Sequence, residues 1–165
     1  MLTWIIGIGF SDWNSPTTAR SGGRASFHLC GESSRSGLAG SRVQSLRRGN
    51  LVVTADALAD RGVAAIAAEI GELGNYYVSL DIDGLDPSIA PGTESPEAEG
   101  LTFRVAKTLL RMLGRQGKLV GADIVEVNPY LDHAELTQHV AVQLLIETLA
   151  SGYSERPLEI GVRSN

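Results

Sequence analysis

Apolar positions change their spacing along this chain, and the changes divide it into elements. Leu2 to Phe10 is an almost unbroken apolar run closing on Gly7-Ile8-Gly9, which reads as a short buried strand. Leu51-Val52-Val53 predicts a second strand. A turn of helix over Asp56 to Arg61 ends at Gly62, and an alanine-rich helix over Val63 to Ile70 is stopped by Gly71 and Gly74. Tyr76 to Ile82 follows a Gly-Asn pair and is rich in β-branched and aromatic residues, so it predicts another strand. After a Pro- and Gly-rich loop, Thr102 caps a helix to Leu113, with Ala106, Leu109, Leu110 and Leu113 as its buried stripe and Gly114 past its end. Leu119 to Val127 is nearly all apolar, as in a strand covered on both faces of a parallel sheet; Asp123 and Glu126 are the exceptions. Asp132-His133-Ala134-Glu135 has capping-box spacing and opens a last helix running to about Ala150, with Val140, Leu144, Leu145 and Thr148 on its apolar face. Ser151 to Asn165 reads as a loose tail.

Ser11 to Asn50 interrupts this order. It is dense in Ser, Gly and Arg, shows neither period, and sets Arg20, Arg24, Arg35, Arg42, Arg47 and Arg48 against Asp12 and Glu32. A loop of that length is uncommon inside a compact domain. Its composition fits a flexible surface segment, an arginine-rich nucleic-acid arm without the usual interleaved aromatics, or out-of-frame translation of a GC-rich gene. His28 and Cys30 have no other His or Cys nearby, which leaves a zinc site short of ligands.

With 165 residues the chain is long enough for a single domain with a real core. A net charge of −5 argues against a nucleic-acid partner, and Cys30, the only cysteine, excludes an internal disulfide. Met1 to Phe10 lacks a basic n-region and is too short to span a bilayer, so a cytoplasmic protein with no membrane partner is expected. Gly7-Ile8-Gly9 lacks the third glycine of a dinucleotide fingerprint.

The richest chemistry lies in Ser79-Leu80-Asp81-Ile82-Asp83-Gly84-Leu85-Asp86-Pro87. In a strand, residues i and i+2 share a face, so Asp81 and Asp83 are expected to point together from the strand's C-terminal end, where open α/β sheets bind ligands. Two carboxylates that close need a cation between them or a shared proton, and oxygen donors select hard ions such as Mg²⁺, Ca²⁺ or Mn²⁺. Asp-Gly and Asp-Pro are equally ordinary turn formers, so capping of the following turn stays open beside the metal reading.

Ser-Leu-Asp-Ile-Asp, followed at fixed spacing by Pro87, Pro91-Gly92 and Gly100, resembles the third signature of the ureohydrolases, the arginases and agmatinases among them. Gly121 to Pro129 resembles that family's late strand and its Glu-Val-Asn-Pro ending. The resemblance runs from about Leu51 to Ala150, is weaker over Trp4 to Pro16, and is absent between. It implies a three-layer αβα fold with a parallel sheet, present here in part, so that residues 1–165 form the C-terminal portion of one ureohydrolase domain. It also implies Mn²⁺-dependent hydrolysis of a guanidino compound, agmatine-like, to urea and an amine, with Asp81 and Asp83 as metal ligands, Glu126 on the substrate guanidinium and the Ser95 hydroxyl near it. The Gly-Gly-Asp-His and Asp-Ala-His-x-Asp strings that carry the family's other ligands and its proton-shuttling histidine do not occur, which leaves two of six ligands and no catalytic residue to name. A non-catalytic remnant, or a partner subunit of a complete homologue, is the competing expectation. Half a parallel sheet would expose an edge and apolar helix faces, so a homo-oligomer is expected.

Overall fold

Residues 76, 78 and 80 set the frame of the molecule. In a computed structural model that describes residues 4–10 and 26–30 by their backbone and 51–153 with side chains, Tyr76, Val78 and Leu80 are buried on one face of a strand. That strand, β4 (Gly74–Asp81), belongs to a sheet with β1 (Trp4–Phe10), β2 (Ser26–Cys30), β3 (Leu51–Thr54) and β5 (Gly117–Val125), in the order β3-β2-β1-β4-β5. The expected parallel pairing holds for β2 with β3 and for β4 with β5, while β1 runs antiparallel to both β2 and β4. Strand β2 falls within the stretch read as unpatterned. Phe27 and Leu29 do alternate with His28, but five residues are too short a signal among so many Ser, Gly and Arg. The rest of 11–50 and the tail from 154 lie outside the described residues.

Among the described residues three helices accompany the sheet: α1 (Ala55–Ile70), α2 (Phe103–Gly114) and α3 (Leu136–Gly152). Thr54 caps α1 by accepting the Ala57 N–H at 3.1 Å. Gly62, at φ 79° and ψ 155°, breaks α1 into the two segments that the sequence separates. Thr102 caps α2, and Ala106, Leu109, Leu110 and Leu113 are its buried stripe, as the spacing predicts. Leu58 and Ile66 of α1, the α2 stripe, Val78, Leu80, Leu119 and Leu144 form one core. Truncating a fully buried leucine such as Leu109 to alanine in such a core costs about 2–5 kcal/mol.

Two expectations need correction. Among the described residues the apolar run of β5 is covered on one face. Register pairs Tyr76 with Leu119, Val78 with Ala122 and Leu80 with Ile124 on the core side, while Tyr77, Val120 and Val125 are exposed. The α/β architecture itself holds, in part as expected: among the described residues the helices form one layer on the sheet.

The capping box before α3 does not form either. Ala134 and Glu135 take positive φ in a 3₁₀ turn over His133–Glu135, so the Asp132 carboxylate reaches past them to accept the N–H groups of Thr137 at 3.0 Å and Gln138 at 2.9 Å. Backbone strain at Ala134 and Glu135 is offset by two capped donors of the first helical turn. No helix among the described residues is long and apolar enough to cross a membrane.

Candidate active site

Strand β4 ends at Asp81, and the chain turns at once through a 3₁₀ turn over Ile82–Gly84. The i, i+2 argument therefore does not apply to Asp83, which lies beyond the strand. Asp81 caps this turn, its Oδ1 accepting the Asp83 N–H at 3.0 Å. The turn, rather than the pleat, brings the two carboxylates close. Strand register sets Asp81 beside Val125, so Glu126 leaves β5 at the same rim. Glu126 is exposed and holds φ at 63°, a left-handed conformation unusual for a residue with a Cβ.

The loop between β4 and α2 is tied back onto this rim. A parallel bridge joins Leu85 to Leu101, with Asp86 N–H to Leu101 C=O at 3.0 Å and Leu101 N–H to Gly84 C=O at 2.9 Å. Gly100 makes this neck possible, since a Cβ there would lie 2.6 Å from the Leu85 carbonyl carbon and 2.8 Å from the Asp86 nitrogen. Glu97 donates its N–H to the Asp83 C=O at 3.0 Å, laying the returning half of the loop on the turn.

Gly92 joins the loop to its neighbours. Its N–H donates to Thr137 Oγ1 at 2.7 Å, its C=O accepts the Asn128 N–H at 2.8 Å, and a Cβ would collide with the Asp132 side chain. Asn128 in turn donates from Nδ2 to Glu94 Oε1 at 3.2 Å. The loops after β4 and β5 and the start of α3 thus form one hydrogen-bonded body over the ends of two parallel strands. These ties explain Pro91-Gly92 and Gly100 of the sequence motif by close packing.

The charges at the rim are of one sign. Burial lifts the Asp81 carboxyl to about 7; the Asp83 N–H opposes this, and the charges of Asp83 and Glu126 reinforce it. Asp83 is raised as well, first by burial and then by Glu126, with Glu94 and Glu97 adding to it; a hydrogen bond from the Ser95 backbone N–H pulls the other way. Asp83 is 2% exposed and Glu97 4%, and among the described residues Asp83 Oδ1, Glu97 Oε2 and the Thr93 hydroxyl have no hydrogen-bond partner. Buried carboxylate oxygens without donors are costly unless a cation or proton satisfies them. Asp81 and Asp83 fit two donors of a hard divalent ion on this chemistry. Among the described residues no group of three or more His, Cys, Asp or Glu is arranged to hold one.

Of the residues singled out from sequence, Asp81, Asp83 and Glu126 therefore meet at one rim. Ser95 reaches it through its backbone N–H, with its side chain half-buried. Glu94, Glu97 and Asn128 escaped that reading because only the folded loop carries them to the rim; the density of Glu over residues 94–99 was the available signal. His133 and His139 are exposed, and His139 Nδ1 lies 2.7 Å from the Glu135 carbonyl oxygen.

An α/β scaffold with acidic groups gathered at the C-terminal ends of adjacent parallel strands belongs to the class that binds its ligand above the sheet rim. Within that class the chain belongs to the Arginase family, whose profile matches residues 18–150. The match begins upstream of Leu51, in the stretch where the sequence motifs show no resemblance. The chain is 39% identical over 103 residues to an arginase of Brucella melitensis, a match covering 59% of this chain and 34% of that protein. It is 44% identical over 104 residues to an agmatinase of Sodalis glossinidius, covering 61% and 34%. Among solved structures, proclavaminate amidino hydrolase from Streptomyces clavuligerus superposes with a TM-score of 0.61 at 39% identity, over 66% of this chain and 38% of that one. Arginase from Bacillus subtilis gives 0.59 at 33%, over 67% and 40%. The chain matches about a third of the length of these two curated relatives.

Proposed function

We propose that this chain carries the substrate-side rim of a Mn²⁺-dependent ureohydrolase that hydrolyses a guanidino compound, agmatine-like, to urea and an amine. The supporting observation is the meeting of Asp81, Asp83 and Glu126 at one rim, where every charge acting on Asp81 and Asp83 is a carboxylate. Such a rim favours a cation, and a guanidinium presents a planar fork of N–H donors that a carboxylate can accept in pairs. Glu126 is exposed and fixed by its backbone conformation, so it is the acceptor that orients the substrate. Asp81 and Asp83 would hold Mn²⁺, whose chemistry when bound is Lewis-acid polarisation and activation of water. The Ser95 N–H favours the charged form of Asp83 against its burial and the neighbouring carboxylates, and Ser95 offers a hydroxyl at the loop.

Urea release from agmatine in Mn²⁺ buffer, measured with the chain alone and with a homologous protein that supplies the N-terminal half, tests this reading. Urea is expected at least in the second arrangement, with loss of both urea and calorimetric Mn²⁺ uptake in the Asp81→Asn/Asp83→Asn double variant. A second reading, a non-catalytic remnant or partner subunit, is favoured by the lack of a three-residue metal group among the described residues. Absence of urea in both arrangements would establish that reading instead.

A further inference from the structure

We propose that Glu94 is a specificity-determining residue of this site, reading the far end of a guanidino substrate that carries an amine and no carboxylate. The inference rests on the guanidino reading above and adds a residue to it.

Glu94 is exposed, yet it is held. Its Oε1 accepts from Asn128 Nδ2 at 3.2 Å, and Asn128 is oriented in turn, with its Oδ1 accepting the Tyr130 N–H at 3.0 Å and its own N–H on the Gly92 C=O at 2.8 Å. A carboxylate fixed this way reaches solvent without sweeping through it, so less freedom is lost when a ligand pairs with it. Glu94 and Glu126 both face Asp83 electrostatically, one from the loop after β4 and one from the end of β5. The buried Glu97 Oε2, without a donor among the described residues and not assigned to the metal, independently points to a cationic occupant. With Glu126 on the guanidinium, Glu94 is, among the described residues, the remaining solvent-facing anion anchored at this rim, matched to an ammonium. A ligand carboxylate would meet charge of its own sign from Asp81, Asp83, Glu94, Glu97 and Glu126.

The test compares agmatine with butylguanidine, which has the same alkylguanidine frame without the amine, and with arginine, by titration calorimetry on the full chain in Mn²⁺ buffer at low ionic strength. Agmatine is expected to bind about two- to fivefold tighter than butylguanidine, as for one exposed charge pair, and arginine weaker than agmatine. Glu94→Gln keeps an acceptor for Asn128 and removes only the charge, so the agmatine-to-butylguanidine ratio should fall toward unity. Glu94→Asp, which restores the charge, should recover part of it. An unchanged ratio in Glu94→Gln, or no preference for agmatine in the wild type, overturns the role of Glu94 while leaving the guanidino reading intact. Binding of neither guanidine by the wild type overturns both.

Discussion

Glu126 sits at φ 63°, where an L-residue with a Cβ costs about 1 kcal/mol relative to the right-handed region, and strain of this kind gathers where a side chain must be aimed. Glu126→Gly should relieve it, raising stability by up to about 1 kcal/mol in thermal melts while abolishing guanidine binding in calorimetry. A destabilised variant would show that the side chain anchors the fold instead. Asp81 gives a pH signature. Its carboxyl moves from 3.8 to about 7 on folding, so across that interval the folded chain binds a proton that the unfolded chain does not. The stability it contributes is complete below 3.8 and is lost as pH rises through about 7. Asp132 is lowered, because hydrogen bonds from Thr137 and Gln138 outweigh its burial, and so stays ionised throughout. Melting in EDTA should therefore be higher at pH 5 than at pH 8, with Mn²⁺ restoring stability at pH 8; a flat profile would remove the case for a strained carboxylate pair. Asp81, Asp83 and Glu126 were legible as residues because motif and strand ends mark them. The rim at the strand's C-terminal end was legible too, but not the route to it, because Asp83 arrives by a turn and Glu126 by strand register.

At the scale of elements, the loop between β4 and α2 depends on a backbone neck with no room for a side chain. Gly100→Ala would push a methyl to 2.6 Å from the Leu85 carbonyl carbon and 2.8 Å from the Gly84 oxygen, atoms of the bridge that cannot rotate away. A loss of at least about 2 kcal/mol is expected in urea denaturation, together with weaker Mn²⁺ uptake as the loop lifts from Asp83. Unchanged stability would show that the neck is looser than it looks. Helices α1 and α2 were legible because Thr54, Gly62 and Thr102 act within a few residues of themselves. The start of α3 was not, since Asp132 bonds five and six residues ahead and the capping-box spacing registers only a partner three ahead.

At the scale of the molecule, two apolar surfaces among the described residues face solvent. Tyr77, Val120 and Val125 lie on the uncovered side of β4 and β5, and Val142, Ile146, Leu149 and Tyr153 form a stripe at helical spacing along α3, with Ile146 59% exposed. Strand β5 is also an edge of the sheet formed by the described residues. We propose that the chain self-associates in solution through these surfaces. Multi-angle light scattering should find oligomers that Val142→Lys/Ile146→Lys shifts toward monomer, whereas a monodisperse wild-type monomer at high concentration would rule the association out. The sequence by itself determined the order of strands and helices from β3 onward, the α2 stripe and the acidic residues that matter, because each rests on local periodicity, caps and turn chemistry within a few positions. Tertiary structure alone decided that β1 runs against its neighbours, that β5 is covered on one side, and that Glu94 and Glu97 join Asp81, Asp83 and Glu126. Those outcomes depend on which distant strands hydrogen-bond and on how a loop closes through Gly92 and Gly100, and no local spacing encodes either.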